Sequence, residues 1–140
     1  MVGRLLLAED DENDAMFLSR ALRKAGFPVP FERVTDGVQA VKRLLDGGVT
    51  HALLDLKMPR KSGLDVLEWL AGRGNRVRAA IFSSSAEEED VRRAYELGAE
   101  FYLVKPANTH HLLDICGQLG DWVDHDAHPT LSADLLVPRP

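Results

Sequence analysis

Short runs without polar–apolar alternation recur along the chain, and each is followed by a stretch whose apolar residues have helical spacing. Strands of this kind are buried on both faces, as in a parallel sheet covered by helices. The runs, of which the second is the weakest, lie at residues 5–8, 31–34, 52–55, 79–82 and 101–104. This pattern predicts an α/β fold with a doubly wound, five-stranded parallel sheet and helices on both faces.

The intervening helices are expected at about residues 12–25, 36–46, 64–71, 87–97 and 109–123. Glycines mark several of the expected ends, and the third helix is expected to break at Gly72–Asn75. Strand–helix–strand crossovers are right-handed, so all five strands point the same way. Their carboxyl ends therefore share one edge of the sheet, which is where ligands bind in folds of this class.

Composition limits the possible partners. The chain has 140 residues, enough for one domain, which we place at residues 1–123. Residues 124–140 contain three prolines and are interpreted as a tail that packs on the domain or on a dimer partner. A net charge of −5 disfavours nucleic acid, and the apolar runs are too short to span a membrane. Cys116 is the single cysteine, which excludes an intrachain disulfide and is typical of a cytoplasmic protein.

Polar residues stand at the carboxyl ends of four predicted strands. Glu9 and Asp10 follow the first strand, Asp55 ends the third, Ser83 follows the fourth and Lys105 follows the fifth. Because these ends share one edge, the sequence predicts that three carboxylates, a hydroxyl and an ammonium group lie close together.

Three carboxylates in one site repel each other by roughly 3 kcal/mol per pair, at a separation of about 5 Å and an effective dielectric of about 20. One ammonium group does not offset this repulsion, whereas Mg²⁺ does, and Mg²⁺ favours carboxylate, water and phosphate oxygens. Such a site suits phosphoryl transfer, with Asp55 as the nucleophile that forms an aspartyl phosphate. Lys105 and Ser83 are then the groups that bind phosphoryl oxygens.

Four motifs occur in order: Glu9–Asp10, Asp55 followed by Pro59 and Gly63, Ser83–Ser84, and Lys105–Pro106. Together they resemble the receiver domain of two-component response regulators, over residues 4–122. The Glu-Asp-Asp start and the Pro-Arg-Lys turn are most similar to the stand-alone, single-domain regulators associated with bacterial phytochromes. The resemblance implies a flavodoxin-like (βα)5 fold with the strand order 2-1-3-4-5.

The resemblance also implies roles for the residues of the site. Asp55 would accept a phosphoryl group from a phosphohistidine on a sensor histidine kinase, and the similarity to phytochrome-associated regulators implies a kinase of the phytochrome type. Mg²⁺ would be the cofactor, bound by Asp10, Asp55 and the backbone carbonyl of Lys57, with Glu9 acting through water. A protein of this family is a phosphoacceptor switch that promotes its own phosphorylation and dephosphorylation, and is not classed as an enzyme.

Three further residues would form the switch. Lys105 would pair with the phosphoryl group, Ser83 would move toward it, and Tyr102 would turn inward to fill the space that Ser83 leaves. The peptide bond between Lys105 and Pro106 would be cis, a rare form that marks a fixed turn.

The remaining expectations concern tuning and output. Lys57, Ser84 and Ser85 would tune the lifetime of the phosphoryl group. The output surface would be the fourth helix, fifth strand and fifth helix, at about residues 86–123, which would bind a downstream protein or a second copy of the chain.

Alternatives remain at two points. Asp11, not Asp10, could be the metal ligand, with the other acid capping the first helix, although the resemblance to the receiver family favours Glu9–Asp10 as the acid pair. At the level of function, the chain could be a phosphorelay intermediate that passes its phosphoryl group to a histidine phosphotransfer protein. A Mg²⁺-dependent aspartyl-phosphate phosphatase is disfavoured, because Lys57 stands where such enzymes carry a second acid.

Overall fold

One six-stranded sheet carries five helices in the computed structural model, which describes residues 3–74 and 76–140. The strands are β1 (Leu5–Ala8), β2 (Phe31–Val34), β3 (His51–Leu54), β4 (Arg78–Ser83), β5 (Tyr102–Val104) and β6 (Leu136–Val137). Strands β1 to β5 are parallel, and β6 pairs antiparallel with β5. The spatial order β2-β1-β3-β4-β5-β6 confirms the predicted flavodoxin-like class and the 2-1-3-4-5 order of the parallel strands.

The helices begin close to the predicted positions. They are α1 (Glu12–Lys24), α2 (Gly37–Asp46), α3 (Gly63–Gly72), α4 (Glu88–Glu96) and α5 (Thr109–His125). The capping residues whose side chains accept a hydrogen bond from the first turn are Asp11, Asp36, Ser62 and Asn108. These bonds satisfy N–H groups that a first helical turn leaves without a partner. Asn75, the last residue of the break predicted after α3, lies outside the described residues.

Both faces of the sheet are buried, which explains the absence of alternation in the strand sequences. Leu6 and Ala8 of β1 pack with α2, α3 and α4 on one face. Leu5 and Leu7 pack with α1 and α5 on the other face, where Trp122 is fully buried. None of the described helices is long and apolar enough to cross a membrane.

The tail returns to the sheet, and this contact adds the one strand that the sequence did not predict. Tyr102 of β5 is in register with Val137 of β6. The Tyr95 hydroxyl of α4 donates a hydrogen bond of 2.5 Å to the carbonyl oxygen of Val137, and the Arg139 guanidinium lies 4.8 Å from the centre of the Tyr95 ring. A strand of two residues is too short to show a period, so residues 136–137 gave no signal in the sequence.

A polar cluster at the amino ends of the strands holds the start of this tail. Glu100 receives two hydrogen bonds of 2.6 Å from Arg78, one of 3.1 Å from the Trp122 indole, and lies 2.9 Å from the His128 ring. Burial acts to raise the pKa of the Glu100 carboxyl, but these partners, Arg78 foremost, outweigh it and lower the pKa. The cluster therefore links β4, α5 and the tail far along the sheet from the predicted site.

Candidate functional site

Asp55 follows β3 directly, at the carboxyl end of a central strand. Its backbone N–H donates a hydrogen bond of 2.9 Å to the carbonyl oxygen of Ala8, which continues the pairing of β3 with β1. The chain then turns back, and the Gly63 N–H donates to the carbonyl oxygen of Leu56. A Cβ on Gly63 would lie only 2.3 Å from the Asp55 carbonyl oxygen, so this turn needs glycine. Asp55 is consequently fixed at the rim and only 8% exposed.

The carboxylates of Glu9, Asp10 and Asp55 form one group, with an oxygen atom from each lying within 4.8 Å of the others. Glu9 is 3% exposed, and its side chain accepts a hydrogen bond of 3.2 Å from the Asp11 N–H. Asp11 itself points to α1, where it accepts a hydrogen bond of 2.9 Å from the Asp14 N–H. In the structure, Asp10 thus belongs to the acid group and Asp11 caps the helix.

The Lys105 ammonium lies among three carboxylates. Its Nζ is 2.9 Å from Asp55 Oδ2, 2.5 Å from Glu9 Oε1 and 2.9 Å from Asp14 Oδ2. The predicted proximity of Lys105 to Asp55 is therefore observed, and Asp14 is a further partner that the sequence did not predict. Asp14 belongs to a run of acids at the start of α1, and its spacing alone did not distinguish it from an ordinary residue of a helical first turn.

Burial shapes the charges of the site. It raises the pKa of the Glu9 carboxyl to about 7, assisted by the hydrogen bond to Asp55 and opposed by Lys105. Burial acts to lower the pKa of the Lys105 ammonium, but the hydrogen bonds to Glu9, Asp14 and Asp55 outweigh it and raise the pKa. Four carboxylates, those of Glu9, Asp10, Asp55 and Asp14, thus lie around one ammonium group, an excess of acids over bases that is typical of a site that takes a further cation.

Ser83 ends β4, and Tyr102 begins the neighbouring strand β5. Ser83 is 1% exposed, its Oγ accepts a hydrogen bond of 3.2 Å from the Ser85 N–H, and its carbonyl accepts one from the Lys105 N–H. Tyr102 is fully buried, its hydroxyl donates a hydrogen bond of 2.5 Å to the Ser85 carbonyl, and burial raises its pKa to about 12. Ser84 is exposed.

Two other expectations involve the loops. Lys57 lies in the loop between β3 and α3 and is exposed. The predicted cis bond before Pro106 is wrong, because no peptide bond is cis among residues 3–74 and 76–140. The trans form is the more stable isomer before proline by about 0.5–1 kcal/mol, and from it Lys105 already reaches all three of its carboxylate partners.

Comparisons with known proteins identify the family to which this fold belongs. The family model of the response regulator receiver domain matches residues 5–116, and the chain belongs to this family. It is 35% identical over 117 residues to the probable methanogenesis regulatory protein FilR2 of Methanothrix harundinacea, covering 77% of this chain and 75% of that protein. It is 31% identical over 147 residues to the transcriptional regulatory protein CpxR of Escherichia coli, covering 99% of this chain but 62% of CpxR.

Solved structures give the same result. The phosphorylated cyanobacterial phytochrome response regulator RcpA has a TM-score of 0.80 and 26% identity, over 93% of this chain and all of RcpA. The Mn²⁺-bound form of response regulator Rcp1 has a TM-score of 0.79 and 25% identity, over 91% of this chain and 99% of Rcp1. RPA3017, a response regulator in red light signalling of R. palustris, has a TM-score of 0.80 and 26% identity, over 93% of this chain and all of RPA3017.

Proposed function

We propose that the protein is a phosphorylation-dependent switch in which Asp55 accepts a phosphoryl group from a phosphohistidine of a sensor histidine kinase. The observation that carries this proposal is the buried Asp55 carboxylate at a sheet rim, with Lys105 Nζ at 2.9 Å and two further acids in the same group. RcpA and RPA3017 act in phytochrome and red light signalling, which supports a kinase of the phytochrome type.

The transfer needs one nucleophile and a set of groups that stabilise charge. An Asp55 carboxylate oxygen attacks phosphorus, a P–O bond forms, and the P–N bond to the donor imidazole breaks with its electron pair staying on nitrogen. During the transfer, negative charge moves from the carboxylate to the phosphoryl oxygens. The Lys105 ammonium can stabilise this charge throughout, because it is already in contact with Asp55. The Ser83 hydroxyl, at the end of the adjacent strand, is the nearby neutral donor.

Mg²⁺ fits the acid group, because three carboxylates lie within 4.8 Å of one another, two of them are buried, and one ammonium group, that of Lys105, pairs with them. The residues that would hold it are Asp10, Asp55, the backbone carbonyl of Lys57 and, through water, Glu9. When bound, the ion supplies positive charge that offsets the repulsion between these carboxylates and the phosphoryl oxygens. The Mn²⁺-bound form of Rcp1, a response regulator with a similar fold, supports the binding of a divalent ion.

The kinase would dock beside this rim. A groove of about 430 Å³ runs between α1 and α5 and includes Lys105 and Pro106 at one end. Phe17 lines this groove with 54% of its surface exposed and so offers an apolar contact to a partner. A helix that carries the phosphohistidine could cover Phe17 and bring the imidazole to Asp55.

The output surface, which would change when Asp55 is phosphorylated, would be formed by α4, β5 and α5. Ser83 and Tyr102 connect the rim to this face, since Tyr102 is buried beside Ser83 and its hydroxyl is bonded to Ser85. New hydrogen bonds to a phosphoryl group would shift the populations of two arrangements of these residues. In the described structure β6 covers the free side of β5, so a downstream partner would meet the tail as well as α4.

Incubation of the protein with Mg²⁺ and acetyl phosphate, followed by intact mass measurement, tests the proposal. We expect a gain of one phosphoryl group in the wild type and in Asp114→Asn, a control that removes an exposed carboxylate on α5. Asp55→Asn should show no gain. An unmodified wild type, or a gain that persists in Asp55→Asn, would contradict the proposal.

A further inference from the structure

Lys105 has a third carboxylate partner outside the acid group. An ammonium group has three N–H donors, and its acceptors here are Glu9, Asp55 and Asp14. The side chain of Lys105 is only 12% exposed, so each of these contacts replaces a water that it would otherwise bind. Asp14 thus completes the hydrogen bonding of a largely buried cation.

The position of Asp14 is set by the first turn of α1. Its backbone N–H donates to the Asp11 side chain, which fixes the turn directly after the Glu9–Asp10 pair. From there its carboxylate reaches Lys105 Nζ at 2.9 Å, on the side of the α1–α5 groove that it lines. Asp14 remains 45% exposed, whereas the Glu9 and Asp55 side chains are 4% and 10% exposed.

The other two partners of Lys105 have competing roles under the proposed function. Asp55 would carry the phosphoryl group, and Glu9 belongs to the acid group that would hold the cation. Asp14 is the partner that neither role engages. We propose that Asp14 is a positioning residue that holds the Lys105 ammonium at the rim while Asp55 is being phosphorylated, a role that rests on the proposed function.

This role differs from that of an ordinary acid near a helix N-terminus. An acid that only complements the helix dipole would add negative charge near an anionic phosphodonor, and its removal would leave the transfer unchanged or speed it up. Removal of a positioning residue should instead slow the transfer, because a mobile Lys105 stabilises the transferring phosphoryl group less well. The sign of the rate change therefore separates the two accounts.

The test compares Asp14→Ala and Asp14→Glu with Glu12→Gln. Glu12 is the matched control, since it lies in the same turn of α1, is 82% exposed at its side chain and pairs with Arg33 instead of Lys105. With saturating acetyl phosphate and Mg²⁺, we expect Asp14→Ala to slow phosphorylation by about tenfold, the equivalent of one charge-assisted hydrogen bond. Asp14→Glu should recover part of the rate, and Glu12→Gln should match the wild type.

A spectroscopic measurement makes the result independent of the phosphoryl transfer. In ¹⁵N-labelled protein, the Lys105 ammonium should give a resolved NMR signal with slow proton exchange in the wild type and in Glu12→Gln, and lose it in Asp14→Ala. A wild-type or higher rate in Asp14→Ala, or an unchanged ammonium signal, would overturn the proposal. If the wild type is not phosphorylated at all, the proposed function fails, and the ammonium signal still decides whether Asp14 positions Lys105.

Discussion

The backbone of Gly63 lies directly against the backbone of Asp55, so closely that a Cβ on Gly63 would sit 2.3 Å from the Asp55 carbonyl oxygen. This contact sets the turn that leads from β3 into α3, and through it the position of the proposed phosphoacceptor. Side chains at the rim are thus held by backbone packing as well as by their own hydrogen bonds.

Gly63→Ala should therefore impair both stability and phosphorylation. The added methyl group would force the Asp55 backbone to move, at a cost of about 2–4 kcal/mol in the free energy of unfolding. Gly72→Ala is the matched control, because it lies in the same helix and has nothing within 4 Å of its added Cβ. There alanine should stabilise the protein by about 0.5–1 kcal/mol. Urea denaturation measures the free energy of unfolding of the two variants, and phosphorylation by acetyl phosphate is followed by intact mass. Equal changes in stability for Gly63→Ala and Gly72→Ala would contradict the packing argument.

Asp10→Asn and Asp11→Asn should behave differently although the residues are neighbours with the same charge. Asp10 belongs to the acid group, so its neutralisation should raise the stability of the metal-free protein by up to about 1 kcal/mol and reduce stabilisation by Mg²⁺. Asp11 caps α1, and asparagine caps a helix equally well, so this variant should keep the response to Mg²⁺. Thermal denaturation with and without Mg²⁺ measures this stabilisation in each variant. An equal loss of stabilisation by Mg²⁺ in both variants would contradict the assignment of Asp10, and not Asp11, to the metal site.

Glu100 should contribute to stability at neutral pH and lose this contribution in acid. Its partners lower the pKa of the carboxyl below its ordinary value in the folded protein, so the unfolded chain takes up the proton first as the pH falls. Glu100→Gln should cost about 2 kcal/mol at pH 7, and the difference from the wild type should shrink below about pH 4. Glu96→Gln, at an exposed position of α4, should show neither effect. A Glu100→Gln deficit that is constant with pH would show that the charge of Glu100 is not responsible.

Removal of residues 127–140 should destabilise the domain. The deletion removes β6, the buried Leu135 and the acceptor of the Tyr95 hydroxyl, with an expected loss of about 2–5 kcal/mol. A shorter deletion of residues 138–140 keeps β6 and removes only the contacts beyond it, so it should cost less than about 1 kcal/mol. Similar unfolding midpoints for the long deletion and the full chain would show that the tail contributes little.

The sequence predicted the parallel part of the fold well, because strands buried on both faces have a simple signature. The absence of alternation in Leu5–Ala8 follows from burial against α2 on one side and α1 on the other. The rim residues were predictable for a related reason, since parallel strands bring their carboxyl ends to one edge. Glu9, Asp55 and Lys105 accordingly lie together although they are far apart in the chain.

The contacts that the sequence did not predict depend on side-chain reach and not on periodicity. Asp14 contacts Lys105 only because the first turn of α1 and the chain directly after β5 reach the same rim, which no local pattern encodes. The same holds for Glu100, whose partners Arg78 and Trp122 lie 22 residues away on either side. Strand β6 escaped detection because two residues show no period.

The short length of β6 bears on whether the edge of this sheet can pair with the sheet of another molecule. An open strand such as β5 would present free N–H and C=O groups to another sheet, which is a common route to aggregation. Here the tail occupies that side with Leu136 and Val137, Pro138 follows directly, and Pro140 stands two residues further on. Proline has no N–H to donate, so the outer side of the tail offers a poor template for a further strand. The described tail thus leaves this side of the sheet with a short edge that is poor in N–H donors.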